Sequence, residues 1–324
     1  MKLSIVIPCY NEAAVLNDFY NEIIKIAREI PGNLEMVFVN DGSRDQTLPI
    51  LKRLAEQDSR VYYLSFSRNF GKEAAMLAGL RYSRGDAVVI MDADLQHPPH
   101  LIPEMVEKFQ EGYDQVVAKR SRKGEAASRT LLSKLYYKVI NRLTDVDFMD
   151  GVGDFRLLSK KALKALLTLK EYNRFSKGLF SWIGFKEYVI EYENVTREAG
   201  ESKWTFKSLL NYGIDGIVSF NNKPLRISIF LGLTITLFSV LYIVTMLFQV
   251  LFQGVEVPGY FTTITAILFL GGVQLIFLGI IGEYIGRIYY ESKGRPNYII
   301  DEKKMRQVEH VREKSTSRGR ISHI

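Results

Sequence analysis

Two stretches of the chain carry no charged side chain, Ile227–Phe252 and Val257–Gly282, and each is 26 residues long. A helix needs roughly 20 apolar residues to cross a hydrocarbon core of about 30 Å. Both runs therefore read as transmembrane helices, with QGVEVPGY as the loop of a short hairpin. Arg226 precedes the first run and Arg287 follows the second, while the loop holds no Lys or Arg and one acid, Glu256. By the positive-inside rule both flanks, and with them both termini, face the cytoplasm of a plasma (inner) membrane protein. With no charge inside either span there is nothing to relay an ion or proton, which argues against a translocation pathway. Gly271, Gly272, Gly279 and Gly282 give the second span a small-residue spacing suited to close helix packing and to homo-oligomer contacts.

The part that precedes the hairpin is expected to be a cytoplasmic domain. MKLSIVIPCYNE has one lysine and a very short apolar run before its first acid, which is not the pattern of a signal peptide. A single Cys9 permits no intrachain disulfide and suits a reducing compartment. The net charge of +7 is concentrated in KRSRK and in the segment from Arg287 onward, close to the expected membrane surface. That placement favours an anionic leaflet over nucleic acid as the partner. The final REKSTSRGRISHI is polar and is expected to be unstructured.

Within the first half, the strand-like runs LSIVIP, EMVFVN, VYYLSF, AVVIM and QVVA alternate with helical patterns over 12–30, 45–58, 72–81 and 99–111. Such alternation predicts right-handed βαβ units and an α/β domain with a mostly parallel sheet covered on both faces. No glycine-rich turn follows the first run, so a nucleotide here is not held by a dinucleotide-type phosphate loop. The expected boundaries are 1–204 for this domain, 205–224 for a juxtamembrane amphipathic helix, 225–286 for the hairpin and 287–324 for a basic cytoplasmic tail. Residues 128–143, SRTLLSKLYYKVINRL, form a second amphipathic helix that fits either the membrane interface or a half-wet packing face.

Three of the strand-like runs end in acids or amides: IPCYNE, VNDGS and MDADLQ. In a parallel sheet the carboxyl ends lie along one rim, where open α/β folds bind ligands. Asn11, Glu12, Asp41, Asp92 and Asp94 would then converge on one cleft. Asp-Gly-Ser alone is a common turn sequence, but three such motifs on one rim are harder to assign to turns. Asp92 and Asp94 alternate along an extended segment and so face one spot, where like charges need a cation or proton between them. Hard oxygen donors without a His or Cys cluster suit Mg²⁺ or Mn²⁺. His97 and His100 lack zinc spacing and are expected to be solvent-facing loop residues.

IVIPCYNE, VNDGSRDQT, SRNFGKEAAMLAGL, MDADLQHPP, GDFRLLSK and REAGESKW, in this order, resemble the family-2 glycosyltransferases. More narrowly they are similar to polyprenyl-phosphate sugar transferases, the bactoprenol glucosyltransferases and dolichol-phosphate mannose synthases. The resemblance implies a Rossmann-like nucleotide-sugar-binding domain. It implies that Pro8, Tyr10, Asn11, Glu12, Asp41 and Asp92 serve the donor nucleotide, and that Asp92, Asp94 and Gln96 hold the metal. Asp154 falls at the position assigned to the catalytic base. Arg120, Arg122, Arg129 and Ser133 fall at the acceptor-phosphate site, and Arg197, Ser202 and Lys203 in a loop that closes on the diphosphate.

The reaction so implied is metal-dependent, inverting transfer of a hexose, from UDP-glucose or a UDP-N-acetylhexosamine, to undecaprenyl phosphate. A GDP-mannose donor is the alternative. A processive polysaccharide synthase is expected to carry Gln-x-x-Arg-Trp and more spans, where this chain has GESKW and two. A non-catalytic membrane scaffold or flippase component is opposed by the metal-type acids and by the uncharged spans.

Overall fold

A computed structural model describes residues 1–121, 137–193 apart from 139, 143, 145 and 147, 218–253 apart from 220 and 222, and 259–305. Its centre is an eight-stranded sheet in the order β7-β5-β6-β4-β1-β2-β3-β8. The strands are β1 (Lys2–Cys9), β2 (Asn33–Asn40), β3 (Val61–Phe66), β4 (Ala87–Ile90), β5 (Gln115–Arg120), β6 (Val152–Ser159), β7 (Glu187–Tyr192) and β8 (Ile300–Lys304). The block β4-β1-β2-β3 is parallel throughout, as the alternating pattern predicts.

Helices α1 (Leu16–Ile26), α2 (Thr47–Gln57), α3 (Lys72–Tyr82) and α4 (Ile102–Gln110) make the crossovers, the last entered through a 3₁₀ turn at Pro99–Leu101. α1 buries Leu16, Phe19, Ile23 and Ile26, the spacing of a helix with one apolar stripe. Alternation along β1 sends Ile5 and Ile7 into the layer shared with Phe19 and Phe38, and Val6 into the opposite layer with Leu80, Leu158 and Phe180. Both faces of the sheet are thereby covered, which is why these strands read as unbroken apolar runs. Burying side chains of this size contributes roughly 1.5–3 kcal/mol each. α3 packs so closely that a Cβ on Gly79 would lie 2.2 Å from Val6 Cγ1.

Three strands lie outside the sequence reading. β6 inserts antiparallel between β4 and β5, β7 adds parallel to β5, and β8 adds antiparallel to β3 at the far edge. Helices α5 (Lys160–Thr168) and α6 (Ser176–Trp182) follow β6, and Ser159 caps α5 by accepting from the Ala162 N–H.

Helices α7 (Lys223–Gln253) and α8 (Tyr260–Ser292) contain two segments long and apolar enough to cross a membrane, Leu225–Tyr242 and Thr262–Ser292. Their large apolar side chains, such as Phe230, Leu237 and Leu275, are exposed. α8 continues well beyond the uncharged run. The stretch expected as a basic tail from 287 contains its last turns and then β8, whose Asp301, Glu302, Lys303 and Lys304 give the sheet a charged edge. Most of the 128–143 and 205–220 amphipathic segments lies outside the described residues. In the described portion of the first, Ile140 is buried against Val146, Phe148 and Phe175, while Lys138 and Arg142 are exposed.

Candidate active site

β1, β2 and β4 end side by side, Cys9 in register with Asn40 and Val6 with Ile90, so the three polar motifs do reach one rim. They border a cleft of about 410 Å³ lined by Pro8, Cys9, Tyr10, Glu12, Asp41, Asn69, Gly71, Lys72, Ala75, Asp92, Ala93 and Asp94.

One wall is built by hydrogen bonds from short polar side chains. Asp41 is buried, and its carboxylate accepts the N–H groups of Phe70 at 2.6 Å and Gly71 at 2.9 Å. Burial raises the Asp41 pKa, while those two N–H groups and Arg68 oppose the rise. Gly42 adopts φ +63°, and a Cβ there would meet the Arg68 carbonyl carbon at 2.3 Å. Asn11, with φ 55°, donates its N–H to Ser43 Oγ and accepts the Arg44 N–H at Oδ1. Asn11 therefore stitches the first strand-end loop to the second and is not among the cleft-lining residues. Asp45, not Asp41, holds the start of α2, accepting from Thr47 N–H at 3.0 Å.

The opposite wall is the MDADLQ turn. Asp94 accepts the Gln96 N–H at 3.1 Å, and Leu95 takes φ 57°. His97 does not face solvent as expected. Its Nδ1 accepts the Asp92 N–H at 3.0 Å and its ring stacks on Phe155 at 5.0 Å, so apolar packing and one backbone bond hold it. Burial pushes its pKa down, against the pull of Asp92. His100 is exposed.

The floor of the site comes from β6. Ile90 pairs with Arg156 in antiparallel register, and carrying that register past the strand end sets Asp92 across from Asp154. Lys72 Nζ fills the space between them, 2.8 Å from Asp92 and 2.7 Å from Asp154. Burial would raise the Asp154 pKa, but the charges of Lys72, Lys177 and Arg156 outweigh it and hold the carboxyl well below the usual range. Burial likewise opposes the Lys72 charge, and Asp154 and Asp92 overcome it and raise its pKa. Arg156 does not pair with Asp154; its guanidinium lies 3.8 Å over the Phe180 ring and donates to the Gly153 carbonyl.

Behind Lys72, the neighbouring Glu73 accepts both the N–H and the hydroxyl of Ser176 at the start of α6. Burial, then repulsion from Asp154, pushes the Glu73 pKa up to about 7.

Sequence reasoning assigned no role to Lys72, Glu73, Ser176 or Lys177. A lysine in the first turn of a helix, against the helix dipole, was the one signal available for Lys72. Arg120 ends β5 next to the loop before β6, its N–H donating to the Gly151 carbonyl at 2.9 Å. Arg122, Arg129, Ser133, Arg197, Ser202 and Lys203 lie outside the described residues.

Among the described residues, no group of three His, Cys, Asp or Glu side chains forms a metal cage. Asp92 and Asp94 bring hard oxygens to the open cleft, and Gln96 follows on the same turn, tied by its N–H to Asp94. That set fits Mg²⁺ or Mn²⁺, which keep waters and take the rest of their shell from substrate phosphates.

Residues 4–167 match the family described as "Glycosyl transferase family 2", and residues 223–288 match "GtrB C-terminal hairpin". The chain is 57% identical over 300 residues to CsbB of Bacillus subtilis (strain 168), which is named as a glycosyltransferase; the match covers 93% of this chain and 91% of the relative. It is 44% identical over 307 residues to the bactoprenol glucosyl transferase of Shigella phage SfV, covering 94% of this chain and 100% of the relative.

Proposed function

The chain belongs to glycosyl transferase family 2, and from that premise we propose that it transfers a hexose, glucose in the first instance, from a UDP-sugar to a polyprenyl phosphate such as undecaprenyl phosphate. The name of the Shigella phage relative and the GtrB hairpin match support the acceptor and the sugar. The single observation that carries the chemistry is the Asp92–Lys72–Asp154 bridge at the rim of the cleft. It joins the MDADLQ turn to the one carboxylate that enters from β6.

The reacting bond forms between a phosphate oxygen of the lipid and the anomeric carbon, on the face opposite the departing nucleoside diphosphate, so the configuration inverts. A phosphate monoester has its second pKa near about 6 and is largely ionised at neutral pH. A carboxyl held as low as that of Asp154 is a poor proton acceptor. Asp154 accordingly serves by fixing Lys72 and orienting the nucleophile rather than by taking a proton.

Pro8, Tyr10, Glu12 and Asp41 receive the nucleoside, and Asn11 holds their loops together. Asp92, Asp94 and Gln96 would hold a divalent ion, which would supply neutralisation for the charge that develops on the leaving diphosphate. Lys72 adds a fixed positive charge at the same place. Arg120, Arg122, Arg129 and Ser133 take the acceptor phosphate, and Arg197, Ser202 and Lys203 close over the diphosphate.

The enzyme acts at the cytoplasmic face of the plasma membrane, anchored by α7 and α8 with both termini inside. Arg226 and Arg287 flanking the uncharged spans support this orientation. A lipid phosphate keeps its headgroup at that surface while the nucleotide sugar stays in solution.

The test is incubation of the purified chain with polyprenyl phosphate, Mg²⁺ or Mn²⁺ and a panel of labelled nucleotide sugars. Label from UDP-glucose moving into the lipid fraction is the expected result. Transfer from GDP-mannose alone identifies the alternative donor, and transfer from no donor contradicts the proposal.

A further inference from the structure

The chain that leaves the membrane hairpin returns to the catalytic sheet at a definite place. β8 pairs with β3 through Tyr63–Lys304, Leu64–Lys303, Ser65–Glu302 and Phe66–Ile300, and Ser67 donates its N–H to the Ile299 carbonyl at 3.1 Å. Lys52 and Glu302 pair at 2.7 Å across the same edge. The attachment is therefore specific in register and in charge. An edge strand rich in Lys, Asp and Glu has little intrinsic strand preference, so side-chain contacts must select its position.

One of those contacts leads to the cleft. Just ahead of β8, Tyr298 stacks on Phe66 with ring centres 4.9 Å apart and planes within 10°. Phe66 meets Phe70 edge to face at 5.8 Å and 89°. The Phe70 N–H is one of the two that Asp41 accepts, and the other belongs to Gly71 on the cleft wall. Tyr298 also packs against the cluster that contains Ala75, a further lining residue. Three rings and one backbone bond thus run from the post-hairpin segment to the carboxylate assigned to the donor nucleoside.

We propose that Tyr298 is a positioning residue for the donor pocket: by stacking on Phe66 it fixes Phe70, and through Phe70 it fixes the Asp41 carboxylate that receives the nucleoside. The inference rests on the donor role of Asp41 given above. It assigns the segment after the membrane hairpin a part in substrate binding that the cytoplasmic domain alone cannot supply.

The experiment uses the full chain in detergent and measures, with Mn²⁺ present, the Kd of whichever of UDP and GDP the wild type binds more tightly, together with donor KM and kcat. An aromatic pair is worth enough that Tyr298→Ala is expected to weaken nucleotide binding roughly threefold to tenfold. Donor KM rises in parallel, kcat at saturating donor stays near wild type, and Tyr298→Phe restores both constants. A purely architectural role moves the folded fraction, and so apparent kcat, with KM unchanged. That pattern, or an unchanged Kd in Tyr298→Ala, overturns the proposal. If Tyr298→Ala does not fold, Tyr298→Leu, which keeps apolar bulk and loses the flat ring, is read in the same way. Asp41→Asn separates the premises: weakened binding there with unchanged binding in the Tyr298 variants overturns the positioning role alone. Wild-type affinity in Asp41→Asn, or no binding of either nucleotide by the wild type, overturns the donor reading and this inference with it.

Discussion

Lys72 Nζ bridges the carboxylates of Asp92 and Asp154 at 2.8 Å and 2.7 Å, tying the turn after β4 to the start of β6. One ammonium from the first turn of α3 thus balances two acids that would otherwise repel. In the proposed reaction this is where the leaving diphosphate gains charge. Removing a preorganised charge of this kind costs roughly 10²–10³-fold in kcat, and Lys72→Met is expected to show that loss in a steady-state transfer assay. Lys72→Arg keeps the charge and is expected to retain part of the rate. A Lys72→Met enzyme with undiminished kcat contradicts this role.

Glu73 gives a pH signature in stability rather than in rate. Its pKa is about 7 in the fold against an ordinary 4.5. The native state then binds more protons than the unfolded chain between those values, so this group makes stability fall as pH rises through the window. Glu73→Gln keeps an acceptor for Ser176 and cannot ionise. Thermal unfolding of the full chain at about pH 5 and about pH 7.5 is expected to show a smaller loss toward high pH in the variant than in the wild type. Equal slopes contradict the raised pKa of Glu73.

Asp154 titrates in the opposite sense. Its folded pKa is depressed, so its ion pair with Lys72 contributes fully above the ordinary carboxyl range and is lost only as pH falls below it. The acid limb of kcat is therefore expected to follow the acceptor phosphate, near about pH 6, and not Asp154. In an acceptor analogue with a lower second pKa, that limb is expected to move down with the analogue; a limb that stays in place contradicts the assignment.

Gly42 tests the donor wall without touching a ligand. With φ +63° and the Arg68 backbone 2.3 Å from any Cβ, Gly42→Ala is expected to cost on the order of 1–3 kcal/mol in stability. The displaced 68–71 segment carries the N–H groups that Asp41 accepts, so donor KM is expected to rise. Denaturation and donor titration of the same preparation measure both effects.

The parallel core was legible because its strands are covered on both faces and so appear as unbroken apolar runs ending in polar turns. β6 was not, because Gly153, Asp154 and Arg156 interrupt its pattern: Asp154 points at Lys72 and Arg156 is buried by stacking on Phe180. β8 was hidden by its charges, since an edge strand needs few apolar residues and its hold comes from Tyr298 and Ile300 against the core. Within the site, the rim acids were visible as three motifs. The cation that bridges two acids of the site was not, because Lys72 meets Asp92 and Asp154 only through the tertiary fold. His97 shows the reverse case: a polar residue in a proline-rich turn looks solvent-facing until Phe155 is found beneath its ring.

Loss of the metal tests the role of the MDADLQ turn apart from the rest of the protein. Treatment with EDTA is expected to abolish transfer and readdition of Mg²⁺ or Mn²⁺ to restore it, while Asp94→Ala is not rescued by either ion. Full activity after chelation contradicts the role given to Asp92, Asp94 and Gln96.

The most direct measurement is the fate of the sugar in a reaction holding only the purified chain, labelled UDP-glucose, undecaprenyl phosphate and a divalent ion. The expected result is label entering the organic phase in step with UDP release, dependent on the lipid phosphate and lost in Asp94→Ala. UDP release without lipid label, or lipid label undiminished in Asp94→Ala, contradicts a polyprenyl-phosphate transferase built on this rim.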